Sequence, residues 1–323
     1  MTRFSILVAC YNAAPYLRQT LDSLLAQTLT DIEVICIDDC STDSTPQILN
    51  EYAAKDSRVI VVRTPENSGQ AVARNLGLKH ATGVLTTMVD ADDWLAPDAL
   101  EKMWQTFSSR EDIDTLSFRL QIVEENGITH PFKEGETIPP LMTGEEACLL
   151  SINWRLHGFA AVRTKLHRRY PYDETTRVYS DDNTSRIHYL KSRFVAQTDA
   201  DYFYLQHPAS VTHQRDTKRL DFLRANDSLR TSLEKEGANA AILQTCEDYC
   251  WRIFLGICKD MLHQRAQMTE NEWTAIDSCL REAYNNMHTD RLAPTLRRSL
   301  RTGPLTGYAS FMLREKFIAR LKK

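Results

Sequence analysis

The first 120 residues alternate short β-branched, apolar runs with amphipathic helical stretches, and no other feature of this 323-residue chain constrains the fold as strongly. Phe4 to Cys10, Ile32 to Ile37, Val59 to Val62, Val84 to Val89 and Ile113 to Phe118 read as strands. Between the first two, Pro15 opens a helix with Leu17, Leu21, Leu24 and Leu25 on one face. Pro46 opens a second helix, with Ser44 as its expected N-cap. A third spans Gln70 to Ala81 and ends at Gly83; a fourth spans Pro97 to Phe107. Repeated units of this length predict an α/β fold, a mostly parallel central sheet flanked by helices. Such sheets bind ligands beyond the carboxyl ends of their strands. Three polar segments fall there: Tyr11-Asn12, Asp38 to Thr45, and Asp90 to Asp93.

Residues 121 to 142 carry Gly127, Pro131, Gly135, Pro139 and Pro140 and read as a hairpin or long loop. Thr143 and Glu146 have capping-box spacing for a short helix. Strands are expected at Phe159 to Val162, Phe194 to Ala196 and Tyr202 to Leu205, with a helix over Thr184 to Ser192. From about 217 onward the pattern is helical, over Leu220 to Leu229, Ala240 to Met268 and Glu272 to Met287. This predicts a first domain over 1–216 and a helical region over 217–323.

The net charge of −4 gives no overall reason to expect a nucleic acid partner. Met1-Thr2-Arg3 leads straight into the first strand without a cleavage site, and no run approaches the roughly 18 apolar residues of a membrane span. The eight cysteines include no Cys-x-x-Cys pair, so a structural zinc site is not expected; Cys246 and Cys250 have the spacing of helix packing. Together these features predict a reducing, cytoplasmic setting. The stretch 296–323 has eight Lys/Arg against one acid, interleaved with Phe311, Met312, Phe317, Ile318 and Leu321. It suits either an anionic membrane surface or a solvated helix docked on its own domain.

The Asp90-Ala91-Asp92-Asp93 segment follows the apolar run 84–89 directly. Three carboxylates at a strand end repel one another unless a cation neutralises them. Hard oxygen ligands suit Mg²⁺ or Mn²⁺, which in turn hold phosphate oxygens. The competing reading is an acidic turn whose Asp caps the helix beginning near Pro97.

Four ordered segments now read together: Val8 to Asn12, Ile37 to Thr45, Glu66 to Gly77, and Val89 to Trp94. In this order and spacing they resemble the family-2 inverting glycosyltransferases, strongly over 3–110 and weakly over 143–215. The resemblance implies a nucleotide-binding half over 1–120 and an acceptor-binding half over 121–216. It implies that Ala9, Tyr11 and Asn12 line the nucleotide, with Gly69 and Ala91 in the donor-binding segments. Asp39 is implied to accept a hydrogen bond from the uracil imide, a donor that a carboxylate can only accept from. Arg74 is implied to pair with phosphate, against a bland reading as a surface helix arginine. Asp90 and Asp92 match the Asp-x-Asp motif, with Asp92 the expected direct metal ligand and Asp90 facing the ribose or a metal-bound water. Asp93 either belongs to that motif or caps the next helix.

Inverting displacement needs a base on the acceptor side. The segment Tyr179-Ser180-Asp181-Asp182 resembles the family's acidic pair, and alignment through Lys191 makes Asp181 the base; a slip of one residue makes it Asp182. His213 falls near where the family places a polar loop beside the diphosphate, and Trp154, Arg155 and His157 fall where acceptor contacts occur. Trp94 either stacks on the acceptor or packs in the core. The expected activity is metal-dependent transfer from a nucleotide diphosphate sugar, a UDP-sugar first, to a saccharide or lipid-linked saccharide in surface polysaccharide synthesis. The rivals are a nucleotidyltransferase, which would need a glycine-rich basic loop absent here, and a non-catalytic nucleotide- or saccharide-binding protein.

Overall fold

The computed structural model describes residues 1–176, 181–207, 220–299 and 307–321. The chain divides into two compact units, Met1–His213 and Gln214–Lys323. The first unit begins β1 (Phe4–Cys10), α1 (Leu17–Leu25), β2 (Ile32–Asp38), α2 (Thr45–Lys55), β3 (Val59–Arg63), α3 (Gln70–His80), β4 (Leu85–Met88), β5 (Trp94–Leu95) and α4 (Ala99–Ser109). It continues with β6 (Ile113–Val123), β7 (Thr129–Pro131), β8 (Leu141–Thr143), α5 (Gly144–Ile152), β9 (Ala160–Arg163), α6 (Thr164–Arg169), α7 (Asp181–Lys191) and β10 (Phe194–Leu205).

One sheet runs in the order β3-β2-β1-β4-β9-β6-β10-β5, with β7 on β6 and β8 on β10. The pairs β1–β2, β1–β4, β2–β3 and β6–β10 are parallel. Strand β9 lies antiparallel between β4 and β6. The even residues of β1 (Phe4, Ile6, Val8, Cys10) pack with Leu17, Leu21 and Leu24 of α1, and the odd Leu7 packs with Ala71, Ala73 and Leu78 of α3. Helices on both faces explain why all seven residues of β2 are buried and why five of them are apolar, Glu33 and Asp38 being the exceptions. The buried carboxylate of Glu33 fixes the near edge. It accepts from Ser5 Oγ (2.6 Å), Thr82 N–H (2.5 Å) and Thr82 Oγ1 (3.0 Å), joining β1, β2 and the turn before β4.

Local details depart from expectation for identifiable reasons. Ser44 sits at the N-cap of α2 but makes no side-chain cap bond. Asp43 accepts from Thr45 N–H instead (2.9 Å), and Thr45 Oγ1 accepts from Ala13 N–H (2.9 Å), so the turn serves the neighbouring loop. The two strands expected at 194–196 and 202–205 are one strand, β10, carrying irregularities between Phe194 and Val195 and between Gln197 and Asp201. Helix α7 begins at Asp181, three residues before the expected Thr184. The Thr143–Glu146 capping box is present in both directions.

The second unit is helical: α8 (Asp221–Lys235), α9 (Ala240–Gln264) with a 3₁₀ turn at Arg265–Gln267, α10 (Glu270–Asn285), α11 (Pro294–Ser299) and α12 (Tyr308–Leu321). Trp251, Phe254, Ile276, Leu280 and Phe311 form its core. Cys246 and Cys250 are buried with Sγ atoms 3.9 Å apart. In α12, Arg314 pairs with Glu315. Residues 300–306, 322 and 323 of the basic stretch lie outside the described residues. Among the described residues, no helix is long and apolar enough to cross a membrane.

Helices α5 and α7 approach each other where α5 begins with Gly144. A Cβ there would lie 2.3 Å from the Ser192 carbonyl oxygen and 2.4 Å from that of Tyr189, both backbone atoms that cannot rotate away. Gly144→Ala is expected to cost about 1–3 kcal/mol, measured as a lower urea midpoint at unchanged slope.

Candidate active site

The carboxyl ends of β1, β2 and β4 bring the donor-side segments together. Asn12 (φ 50°) leaves β1 in the left-handed region. Its Oδ1 accepts from Thr42 N–H (2.8 Å), and its own N–H donates to Ser41 Oγ (3.0 Å). Tyr11 beside it is half exposed at 51%, an aromatic face open at the mouth of the sheet. Ala9 lies near the end of β1, paired in register with Ile37.

Asp39 is buried and already accepts three hydrogen bonds: Thr64 Oγ1 (2.7 Å), Ser68 N–H (3.0 Å) and Gly69 N–H (2.8 Å). Its carboxylate therefore moulds the 64–69 loop. A carboxylate has about four acceptor positions, so one remains. Gly69, at φ 91°, presents its N–H to Asp39 in a conformation that a side chain would strain.

Arg74 departs most from the sequence reading. It is a buried residue of α3, 1% exposed, not a surface arginine. Its Nη2 pairs with Asp90 Oδ1 at 2.5 Å and its Nη1 with Asp181 Oδ2 at 3.3 Å. The guanidinium also lies 5.5 Å from the Tyr172 ring centroid. Both strongly bound partners are protein carboxylates, so the guanidinium ties Asp90, beyond β4, to Asp181, at the start of α7.

The two candidate bases separate clearly. Asp181 Oδ2 accepts from Gln70 Nε2 at 3.1 Å as well as from Arg74, and Oδ1 accepts from Asp182 N–H at 3.1 Å. Asp182 points away, toward Gly158 and Ser185. Burial, then the nearby Asp181 charge, pushes its carboxyl up to about 7. Burial likewise raises Asp90 to about 6, opposed by Arg74 and reinforced by Asp92 and Asp181.

Asp92 is one-third exposed, and its Oδ2 lies 2.9 Å from His207 Nε2. His207 also stacks on Tyr16, with ring centroids 4.6 Å apart. Ala91 is buried, its carbonyl accepting from Thr20 Oγ1 at 3.0 Å. Among the described residues, no three Asp, Glu, His or Cys side chains form a ready-made metal cage. The donor set nonetheless fits a hard divalent ion: a carboxylate oxygen and an imidazole nitrogen lie 2.9 Å apart, with the Asp90 and Asp93 carboxylates on the same segment. Mg²⁺ and Mn²⁺ commonly bind through one or two protein groups and take phosphate and water for the rest.

The other candidates distribute as follows. Asp93 caps no helix; Tyr202 Oη donates to its Oδ2 (2.7 Å) and Leu205 N–H to its Oδ1 (2.9 Å). Trp94 stacks on Phe203 with centroids 5.5 Å apart. His157 is a packed histidine, its Nε2 at 3.0 Å from the Phe118 carbonyl and its pKa lowered to about 4 by burial. Trp154, at φ 56°, has the Arg186 guanidinium 5.5 Å from its ring, and Arg155 donates to Glu136 at 3.0 Å. Tyr179, Ser180 and His213 lie outside the described residues. His207 and Gln70 were missed in the sequence. Each stands just beyond a strand or at the first residue of a helix, a position that carries no periodic signal.

Asp182 generates a pH prediction. Its folded pKa exceeds its ordinary value, so the folded state holds the extra proton, and stability falls as pH rises through the interval from about 4 to about 7. Asp182→Asn is expected to come closest to wild type below about pH 4 and to melt at a higher temperature than wild type at pH 8. Parallel melting curves across pH would contradict it.

The profile of "Glycosyl transferase family 2" matches residues 5–171, just over half of the chain. The chain is 30% identical over 208 residues to the poly(ribitol-phosphate) beta-glucosyltransferase of Bacillus spizizenii, which spans 63% of this chain and 32% of that one. Four other curated relatives are each covered over less than half of their own length. The fold is similar to that of S. aureus TarS 1-349 in complex with UDP, with a TM-score of 0.72, 21% identity and coverage of 99% and 92%. It is also similar to the mannosyltransferase PcManGT of Pyrobaculum calidifontis in complex with GDP-Man and Mn²⁺, with a TM-score of 0.53, 18% identity and coverage of 99% and 86%. At these identities the structural likenesses establish a shared fold alone. Asp181 and His207 lie beyond the matched stretch 5–171, yet the structure brings both to the residues within it. With strand, Asp-x-Asp and nucleotide-loop segments in order at one sheet edge, the chain belongs to glycosyl transferase family 2.

Proposed function

We propose that this chain transfers a sugar with inversion from a nucleotide diphosphate sugar, a UDP-sugar first, to a saccharide or lipid-linked saccharide acceptor in surface polysaccharide synthesis. The observation that carries this reading is the Arg74 bridge. It joins an acid of the Asp-x-Asp segment to an acid on a separate helix, which is the spacing of a donor side and an acceptor side around one reaction centre. TarS in complex with UDP supports a uridine diphosphate donor, and the poly(ribitol-phosphate) relative supports a polymeric acceptor.

In this reading Tyr11, Asn12, Ala9 and Asp39 receive the base and ribose, and the 68–69 loop held by Asp39 closes beside them. Asp181 takes the proton of the acceptor hydroxyl. That oxygen forms its bond to the anomeric carbon from the face opposite the nucleotide, and the bond from the anomeric carbon to the diphosphate oxygen breaks. Gln70 and Arg74 orient Asp181 through Oδ2, and Oδ1, which accepts from Asp182 N–H, keeps a second acceptor position to face the acceptor hydroxyl. Asp92 and His207 would hold a divalent cation, which supplies charge neutralisation for the departing diphosphate. The PcManGT complex with Mn²⁺ supports that assignment. Residues 121–216 carry acceptor recognition, and the basic side chains of 296–323, rather than Phe311 and Met312, which pack in the helical core, would meet an inner membrane face.

Two measurements test the proposal. Calorimetry should give UDP binding that strengthens with Mn²⁺, with the gain abolished in Asp92→Ala; metal-independent binding would refute the cation role. Asp181→Asn should lower kcat by about 10²–10⁴-fold while leaving UDP affinity nearly unchanged. A larger loss in Asp182→Asn than in Asp181→Asn would reassign the base.

A further inference from the structure

Asp93 is fully buried, and its hydrogen-bond donors among the described residues, the Tyr202 hydroxyl and Leu205 N–H, are neutral. Burying a carboxyl without a countercharge is costly. The surrounding core is apolar, so packing alone does not call for an acid at this position. Its bonds account for it. Oδ2 accepts from the Tyr202 hydroxyl at 2.7 Å and Oδ1 from Leu205 N–H at 2.9 Å. The same hydroxyl accepts from Asp90 N–H at 3.1 Å. The segment carrying Asp90 and Asp92 is thereby joined to β10 at two points. Leu205 is the last residue of β10, and Gln206 N–H donates to the Val123 carbonyl at 2.8 Å, so the exit of the strand is held from both sides. The next residue is His207, with Nε2 at 2.9 Å from Asp92 Oδ2.

We propose that Asp93 and Tyr202 form a latch that sets the separation of Asp92 and His207, and with it the affinity of that pair for a divalent cation. Both are positioning residues, since neither touches the reacting atoms. The inference rests on the reading of Asp92 and His207 as the cation-holding pair. The latch needs an acid for a reason of donor counting. Both groups facing the carboxylate, a hydroxyl and an N–H, are donors, and a carboxylate only accepts. Asparagine at 93 would still accept from Leu205 but would turn an N–H toward the Tyr202 hydroxyl, which would then have to redirect its own proton. Phenylalanine at 202 would keep the ring against Phe118 and Phe159 while removing both bonds made by the hydroxyl.

The test titrates Mn²⁺ into the full chain saturated with UDP, following free Mn²⁺ by electron paramagnetic resonance and bound Mn²⁺ by nitrogen modulation from the imidazole. Asp92→Ala and His207→Ala are the reference variants. Tyr202→Phe is expected to weaken Mn²⁺ binding by about tenfold or more and to reduce the nitrogen modulation, with metal-free UDP affinity unchanged. Asp93→Asn should fall between Tyr202→Phe and wild type. The latch is overturned if both variants bind Mn²⁺ within about twofold of wild type with full nitrogen modulation, or if metal-free UDP affinity falls in step with Mn²⁺ affinity, which would mark a general folding defect. If wild type binds no Mn²⁺, or the two reference variants bind it as wild type does, the cation reading itself fails and the latch with it.

Discussion

The buried guanidinium of Arg74 is the interaction on which the site depends. It sits on α3, whose Ala71, Ala73 and Gly77 bring the helix close to the sheet; a Cβ on Gly77 would meet Ile37 Cδ1 at 2.6 Å. From that position the side chain reaches the end of β4 at Asp90 and the start of α7 at Asp181. Taking a guanidinium out of water is costly and is offset only by well-placed anions. Here the two anions it needs are the two that would otherwise repel each other across the site. One fixed positive charge therefore determines how close the two acids approach and orients both.

The neighbouring acids Asp181 and Asp182 show how strongly local surroundings divide equal side chains. Successive residues in a helix point about 100° apart. At the first turn of α7 this sends one carboxylate to Gln70 and Arg74 and the other toward Gly158 and Ser185. The first is held by donors on the donor side of the cleft. The second has its proton affinity raised to about 7 by burial and by its neighbour.

The strands and helices of the first 120 residues were legible because their signals are local. An apolar run, a Pro at a helix start and a Thr-x-x-Glu pair each act within a few residues, and the Thr143–Glu146 box is present as read. Features set by distant partners were not legible. Nothing within Ala160–Arg163 reveals that this strand enters antiparallel between β4 and β6. The pattern of α3 places Arg74 on a helix but does not reveal Asp181, 107 positions away. Asp93 reads as a helix cap because that is the nearest job for an acid at a turn; its bond to Tyr202 spans 109 positions. The Asp-x-Asp segment was found from its charge crowding at a strand end, whereas His207 has no crowding and no period.

The same separations bear on how the chain reaches its native state. Donor-side loops of β1, β2 and β4 can form from the first 95 residues, but Gln70–Asp181, Arg74–Asp181 and Asp92–His207 each close loops of more than a hundred residues. Loop closure of that kind costs chain entropy before any contact rewards it, and topologies rich in it fold slowly. During synthesis the half carrying β1 to β4 would thus emerge with Asp90 able to pair with Arg74, and only the late arrival of α7 and β10 would bring Asp181 and His207 to the same strand ends. A ribosome-bound or proteolysed fragment ending before residue 181 would lack both the second carboxylate held by Arg74 and the imidazole beside Asp92.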